Sequence, residues 1–565
     1  MTKTFYLACF LGVPLVAACS SDAAEPKHRT QEPPVDDDFP VPLAEGIAPV
    51  PPMGWNSWNQ LGCGVTAERV RATADAMVES GMAEAGYQYI NIDDCWSLAE
   101  RDADENLQAA PNFPEGIAAV ADYVHERGLK LGIYGDRGTA TCGGRAGSSG
   151  YERKDAETFA EWGVDYLKYD NCASDPDVIE EEYTTMGDEL GATDRDIVYS
   201  LCAWNFYEWG TRVGQLWRTT SDIRPTWESV TTNMAINKAY AAYSGPNGWN
   251  DPDMLEVGVE KFDNVVERLT DVEARAHFSV WAIMSAPLIA GNDLVYMMER
   301  EPEIREILTN KDVIAINQDA LGYQGVPVRT SGSESELEVW AKPINESGGR
   351  AVVLLNKGEM PAEMSVEFAD IGLAAGRAIV TDLWAHTGLG THRDRFTAMV
   401  EPHEGKTLKV KGNELAPPKG EKFLSDLTWT YAANGLGPIE RDMTNGASFS
   451  ADGDPIAIRG QTYEKGLGVG SPSVVVFRLA RACTRFTADV GIGDETLGAG
   501  SVVFRVFADG EKLFDSDIVT GESEPVSVDL DLTGLRQLKL VTTTTDDGKS
   551  WDRAVWADAR IECAP

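Results

Sequence analysis

Aspartates recur in one kind of place along this chain, directly after short apolar runs. Ile92 is followed by Asp93-Asp94, Tyr134-Gly135 by Asp136, Lys168-Tyr169 by Asp170, Trp217-Arg218 by Asp222 four residues on, and Trp249-Asn250 by Asp251-Pro252-Asp253; Leu201 is followed by Cys202. A single aspartate of this kind is commonplace, because Asp caps a following helix. Five such places accompanied by Lys168, Arg218 and Trp58 point to one shared pocket. A carboxylate ionised beside Lys168 is expected to have a lowered pKa and to act as a nucleophile. A second, less solvated carboxyl is expected to keep its proton at neutral pH and act as an acid. Trp58 and Tyr134 suit the apolar face of a sugar ring, and Asp93, Asp94, Asp253 and Arg218 suit its hydroxyls. The competing chemistry is metal-assisted hydrolysis, with Asp93-Asp94 or Asp251-Pro252-Asp253 as divalent-cation ligands. A cation site gives no reason for Lys168 and Arg218 in the same ring, and no CxxC or zinc spacing occurs. Neither a metal nor another cofactor is expected.

To gather these residues, their strands must end on one side. Between about residues 50 and 295, runs such as Tyr87–Ile92, Leu129–Tyr134, Val164–Tyr169, Ile197–Leu201, Leu216–Thr220 and Pro287–Ala290 alternate with helical patterns such as Ala67–Ala85 and Gly116–Arg127. Strand and helix alternating at this interval give βαβ units and a parallel sheet. With Met53–Trp58 as a first strand and Trp249–Met254 as a seventh, the count reaches eight, as in a (β/α)8 barrel, which collects all strand C-termini around one pocket. A doubly wound open sheet is the alternative, but no GxGxxG follows the first strand.

Downstream the pattern changes to alternating strands (Glu336–Lys342, Ala351–Leu355, Ala378–Leu383), an antiparallel β-sandwich over 325–412. A Pro-rich stretch within 413–421 reads as a linker. A second β-sandwich module over 422–565 has strands expected at Ser473–Leu479, Arg485–Val490, Val502–Ala508, Val526–Leu530 and Leu538–Thr543.

The N-terminus reads as an export signal over 1–18, with Lys3 followed by an apolar run too short to span a bilayer as an anchor. Its end, Leu15-Val16-Ala17-Ala18-Cys19, resembles a bacterial lipobox, which makes Cys19 the lipidated residue, and 19–48 reads as a flexible tether before a barrel over 49–324. The expected location is the bacterial cell envelope, with membrane attachment only through that lipid. Beyond Cys9 and Cys19, the cysteines Cys63, Cys95, Cys142, Cys172, Cys202, Cys483 and Cys563 are odd in number, which in an exported protein implies disulfides and a free thiol. Cys483 and Cys563, alone in the C-terminal part, are expected to pair. A formal net charge of −41 disfavours a nucleic-acid partner, because phosphate binding needs clustered Lys and Arg. Most of that charge reads as a solvated coat.

The motifs Pro52-Met53-Gly54-Trp55-Asn56-Ser57-Trp58, Ile92-Asp93-Asp94-Cys95-Trp96, Leu131–Asp136, Leu167-Lys168-Tyr169-Asp170-Asn171-Cys172, Trp217–Ile223 and Gly248–Met254 closely resemble, in this order, glycoside hydrolase family 27, the α-galactosidases (melibiases) and α-N-acetylgalactosaminidases. The resemblance runs from about 50 to 410 and includes Ile314–Asp319. It implies retaining hydrolysis of terminal α-galactosides, with Asp170 as nucleophile and Asp222 as acid/base. Trp58, Asp93, Asp94, Tyr134, Lys168, Cys202, Arg218 and Asp253 would line the sugar site. It also implies the disulfides Cys63–Cys95 and Cys142–Cys172, with Cys202 free. One position departs from the pattern: where many members have Glu after the strand-five cysteine, this chain has Ala203 and then Trp204, a small residue resembling the acetamido-sugar enzymes, unless Asn205-Phe206-Tyr207-Glu208 refill the space. Lys465–Val469, Ala488–Ile492 and Val555–Ile561 resemble the NPCBM carbohydrate-binding module, with Gly470 where its relatives often have His. Trp429, Trp551 and Trp556 there could be core or platform. A non-enzymatic alternative is a catalytically silent galactoside-binding protein of the envelope.

Overall fold

A computed structural model describes residues 43–260, 266–332, 336–446, 449–545, 548 and 550–565. The signal over 1–18, Cys19 and the tether up to residue 42 lie outside the described residues. No helix among the described residues is long and apolar enough to cross a membrane.

Eight strands form one parallel sheet: β1 Met53–Asn56, β2 Tyr89–Ile92, β3 Lys130–Asp136, β4 Tyr166–Asp170, β5 Val198–Leu201, β6 Leu216–Arg218, β7 Trp249–Asp251 and β8 Leu288–Ala290. Their order is β7-β6-β5-β4-β3-β2-β1-β8, all parallel, and a parallel bridge from Leu255 to Ala290 joins the segment after β7 to β8. This closes the (β/α)8 barrel expected from the alternation of patterns. The strands are short, three to seven residues; the runs expected for β1, β6 and β7 spend their last residues in loops, whereas β3 and β4 run one or two residues further than expected, to Asp136 and Asp170. β1, for example, ends at Asn56, and Trp58 already opens a short helix.

The strands are buried and apolar on their outer faces, where the helices lie. In the helix Ala67–Glu79 the buried residues Val70, Ala74 and Met77 recur at three and four residues, a helical stripe facing the sheet. Thr66 caps that helix by accepting from the backbone N–H of Arg69. The continuous repeat expected over Ala67–Ala85 is broken at Ser80-Gly81, where Gly81 has φ +87°, and resumes in a short turn over Met82–Ala85.

The chain then builds antiparallel sheets. Strands Val326–Ser331, Leu337–Pro343, Gly349–Asn356, Arg377–Asp382, Thr387–Arg393 and Gly405–Lys411 form a six-stranded sheet, and the pair Ala362–Glu367 and Arg395–Val400 faces it across a small apolar core. The C-terminal module is a second sandwich. One sheet centres on Arg553–Cys563, and the other runs through Ser473–Arg478, Gln537–Thr544 and Ser501–Ala508. Trp556 is fully buried in its core, whereas Trp551 is exposed and Trp429 is half-buried beneath the Arg441 guanidinium, 4.0 Å above its ring. At Gly470 any Cβ would sit 2.4 Å from Cβ of Leu436, so the close approach of the two segments leaves no room for a histidine.

Candidate active site

The aspartates at the strand ends share one local device. Asp93 accepts from the backbone N–H of Asp94 at 2.9 Å, Asp170 from that of Asn171 at 2.9 Å, and Asp253 from that of Met254 at 2.8 Å, each through Oδ1. One carboxylate oxygen is thus fixed by its own turn, and the other is left to face the barrel mouth. None of the three caps a helix. Oδ2 of Asp93 accepts from Lys168 Nζ at 2.8 Å and from Asn56 Nδ2 at 2.7 Å. Oδ2 of Asp170 accepts from the Tyr134 hydroxyl at 2.9 Å. Oδ2 of Asp253 accepts from the backbone N–H of Ile223 at 2.9 Å and lies 3.0 Å from Nη2 of Arg218.

Arg218, buried at the end of β6, also reaches Oδ1 of Asp222 at 3.1 Å and the sulfur of Cys202 at 3.4 Å. Lys168 lies 5.4 Å from the centroid of the Tyr134 ring. The structure therefore brings together Asp93, Tyr134, Lys168, Asp170, Cys202, Arg218, Asp222 and Asp253. Asp94 sits one residue deeper in the loop: its carboxylate accepts from the backbone N–H groups of Cys95 and Gly143 at 2.6 Å each and from Thr141 Oγ1 at 2.9 Å. A Cβ at Gly143 would stand 2.9 Å from that carboxylate, so the contact requires glycine there. Trp58 stands half-buried at the head of the helix after β1. With Asp93 held by a lysine and Asp253 by an arginine, the donor set is already neutralised by side chains, which argues against the alternative of a divalent cation at these residues.

Burial decides the electrostatics, and it reverses one expectation. Asp170 is buried, and desolvation raises its pKa to about 6 in spite of the Lys168 charge and the Tyr134 hydrogen bond, both of which pull it down. The expected lowering is overruled because the carboxylate loses more hydration than Lys168, already engaged with Asp93, returns. Asp222 is the more solvated of the two, its side chain half exposed on the loop four residues beyond β6, not the less solvated as expected. Burial also lifts Asp136 to about 8 and Asp251 to about 6, and pushes Asp94 and the Cys202 thiol up. Burial acts to deprotonate Lys168, but Asp93 and Asp170 hold it charged, well above the ordinary lysine value.

Reading the chain for charged strand ends missed Asn56 and named Asp136 without its role. Asn56 orients Asp93. Asp136 accepts from the backbone N–H groups of Gly138 and Cys172 at 2.8 and 2.9 Å and lies 3.5 Å from the Tyr134 hydroxyl. Asn56 and Asp136 both stood within the motifs, but nothing in their types marked them as second partners of a carboxylate or a phenol.

Three disulfides form, Cys63–Cys95, Cys142–Cys172 and Cys483–Cys563, and Cys202 is free and buried. The sulfur of Cys142 lies 3.6 Å from Oδ2 of Asp170, so the second disulfide forms part of the pocket wall. Asp253, Trp204 and Cys95 hold left-handed backbone, with φ of +82°, +58° and +73°. Non-glycine residues in this region cluster where a loop must aim a side chain.

A closed (β/α)8 barrel whose mouth gathers Asp170 and Asp222 beside a half-buried lysine and a buried arginine defines an enzyme of the glycoside hydrolase class. Family models agree: residues 50–319 match "Alpha galactosidase A", 334–410 match "Alpha galactosidase C-terminal beta sandwich domain", and 420–562 match "NPCBM/NEW2 domain". An alpha-galactosidase of Oryza sativa subsp. japonica is 45% identical over 376 residues, covering 65% of this chain and 86% of that protein. An alpha-N-acetylgalactosaminidase of Gallus gallus is 39% identical, covering 64% and 93%. The crystal structure of alpha-galactosidase I from Mortierella vinacea superposes with a TM-score of 0.60 at 33% identity, covering 66% of this chain and 99% of that one. The chain belongs to the alpha-galactosidase family, glycoside hydrolase family 27.

Proposed function

We propose that this protein is a retaining exo-glycosidase that removes terminal non-reducing α-D-galactosyl residues from glycans. The observation that carries the reading is the position of Asp170: buried at the end of β4, one oxygen locked by its own turn and the other held by Tyr134, with Lys168 charged beside it. In the first step the oxygen that Tyr134 holds, Oδ2, attacks the anomeric carbon while Asp222 gives its proton to the departing glycosidic oxygen. In the second, Asp222 takes a proton from water, which displaces Asp170 and restores the α configuration. Asp222 starts half exposed, and a sugar seated over it would exclude bulk water from the bond that breaks. Asp93, Asp94, Lys168, Arg218 and Asp253 would hold the ring hydroxyls, with Trp58 and Tyr134 against its apolar face and Cys202 on the floor. Retention demands that the two carboxyl groups lie about 5 to 5.5 Å apart. Proton NMR of the first-formed sugar tests the reading: the α anomer supports it, and the β anomer sinks it.

A second reading, α-N-acetylgalactosaminidase activity, is favoured by how the loop after β5 folds. Phe206 stacks on Tyr240, Tyr207 stacks on Trp209, and Glu208 accepts from Thr544. These three are turned to other partners and Asn205 is exposed, which supports a space beside Ala203 that would admit a 2-acetamido group. Hydrolysis rates on the nitrophenyl α-galactoside and the corresponding acetamido sugar decide the order of the two.

We further infer an exported lipoprotein anchored through Cys19, a reading supported by three disulfides in the folded chain. Palmitate labelling that persists in Cys19→Ala would refute it. Barrel, sandwich and C-terminal module are taken as 49–324, 325–412 and 422–565.

A further inference from the structure

The connection from β5 to β6 is spare. After Leu201 the chain makes only the four-residue helix Gly210–Val213 before β6 begins at Leu216, where a barrel ordinarily lays a full helix across the strands. Aromatic side chains of this connection pack instead against its neighbours. Phe206 lies 4.2 Å from Tyr240 and 4.7 Å from Tyr243 between ring centroids, and Tyr207 lies 5.3 Å from Trp209. The C-terminal module closes the other side: Thr544 Oγ1 donates to Glu208 at 2.7 Å and lies within hydrogen-bonding distance, 2.8 Å, of the Tyr243 hydroxyl. These walls enclose an open cleft of about 680 Å³, with Asp177, Glu180 and Glu181 along one lip and Pro472 and Thr544 on the module's side.

Two of the lining segments start at the barrel mouth, whereas Tyr240 and Tyr243 come from the connection into β7 and Pro472 and Thr544 from the module. The loop that begins at Asp170 reaches the cleft at Asp177, and the loop that begins at Ala203 reaches it at Phe206. The lining is mostly half-buried aromatic rings, with buried Trp209, beside the exposed carboxylates Asp177, Glu180 and Glu181, of which Glu180 pairs with Arg212 at 3.6 Å. Ring faces suit the C–H faces of pyranoses, and carboxylates accept from their hydroxyls. The same carboxylates repel uronic acids and sulfated sugars.

We propose that this cleft, shared between the barrel and the C-terminal module, binds the neutral sugar units that lie behind the terminal galactosyl residue of the substrate. The inference rests on the α-galactosidase reading above. The module thereby supplies a wall of the substrate path, whether or not its own outer surface binds glycans.

The test uses the full chain with Tyr207→Ala and Glu181→Ala combined, neither residue lying in the galactose pocket. The cleft predicts at least a fivefold fall in kcat/KM on an α-galactosyl-branched manno-oligosaccharide, with kcat/KM on nitrophenyl α-galactoside within twofold of the parent. In an Asp170→Ala background, titration calorimetry should show at least fivefold weaker binding of the same oligosaccharide and unchanged binding of galactose. Equal effects on both ligands, or none on the oligosaccharide, overturn the proposal. Absence of nitrophenyl hydrolysis by the parent chain would instead remove the α-galactosidase reading, and the calorimetry would still judge the cleft.

Discussion

The barrel mouth and the C-terminal module handle charge in opposite ways. In the mouth Arg218 is buried and Lys168 largely so, at 3% and 19% exposure, and of the carboxylates they meet Asp93 and Asp253 are 2% and 12% exposed while Asp222 stands half exposed. In the module the pairs lie outside, as in Arg485–Asp529 at 54% and 59% exposure, and the interior is a packed set of Val, Phe, Leu and Trp556. Burying a pair of charges costs more hydration than an apolar replacement would, and exposed pairs contribute little either way. Stability therefore gives the mouth no reason to keep its charges, and chemistry does. The difference implies that substitutions in the mouth remove activity and spare the fold, while substitutions in the module do the reverse.

The largest expected effect is at Asp170. Asp170→Ala should lower kcat on nitrophenyl α-galactoside by about 10⁴-fold or more, as losses of a covalent nucleophile do, with partial rescue by azide yielding the β-linked glycosyl azide. Circular dichroism should show an unchanged fold. Near-full activity would remove both the assignment and the contrast between the regions.

Two disulfides provide a matched pair. Cys483–Cys563 closes a separation of 80 residues and Cys142–Cys172 one of 30, so loop entropy assigns them roughly 4 to 5 and 3 to 4 kcal/mol of stability. Removing the first by Cys483→Ser with Cys563→Ser should lower the unfolding temperature of the module while hydrolysis of the nitrophenyl substrate persists. Removing the second should also cost activity, because Cys142 lies against Asp170. If both variants lose activity alike, the two regions are coupled more tightly than their charge patterns imply.

Much of the site was legible because a barrel converts a one-dimensional fact, an aspartate after an apolar run, into a three-dimensional one. Asp93, Asp170 and Asp253 converge for that reason alone. What the residues could not reveal was solvation. Proximity to Lys168 made a depressed pKa the natural expectation for Asp170, but Lys168 donates to Asp93, and burial leaves Asp170 raised. Nor could the spacing show that Asp222, four residues past the strand, stands at the rim. The contacts of Thr544 with Glu208 and Tyr243 join positions some three hundred residues apart and leave no periodic trace.

A smaller effect sharpens the comparison at the sugar's 2-position. Ala203→Glu places a carboxylate where the acetamido group would sit, so the ratio of kcat/KM for the galactoside over the acetamido sugar should rise about tenfold or more. Loss of space and a new hydrogen bond act in the same direction. An unchanged ratio would mean that Trp204 or another part of the loop, and not residue 203, bounds the pocket.

The smallest effect follows from pH, because burial raises several barrel aspartates, whereas surface pairing lowers Asp529 in the module, even though buried Glu495 there is raised. Asp170 and Asp251 rise from 3.8 to about 6 on folding, and Asp136 to about 8, in each case chiefly through burial. A carboxyl with a raised pKa stabilises the fold fully below its unfolded value, and that contribution is lost as pH rises through the folded value. Asp529 in the module is lowered by its hydrogen bond to Arg485, so its contribution is present above 3.8 and lost as pH falls through its lower folded value. Below pH 6.5 the buried His277 of the barrel, lowered to about 3, opposes these carboxyls, so the trend is read between pH 6.5 and 8, where Asp136 should make the barrel less stable with rising pH, by roughly 2 to 4 °C for each ~1 kcal/mol lost in a domain of this length. Activity should run against barrel stability: kcat/KM on the nitrophenyl substrate rises through an acid limb near pH 6 as Asp170 ionises, so the protein is most active where its mouth is least content to be folded. Scanning calorimetry at pH 6.5 and 8 beside the pH–rate profile reads both trends. A barrel that gains stability over that interval would show that burial does not govern Asp136.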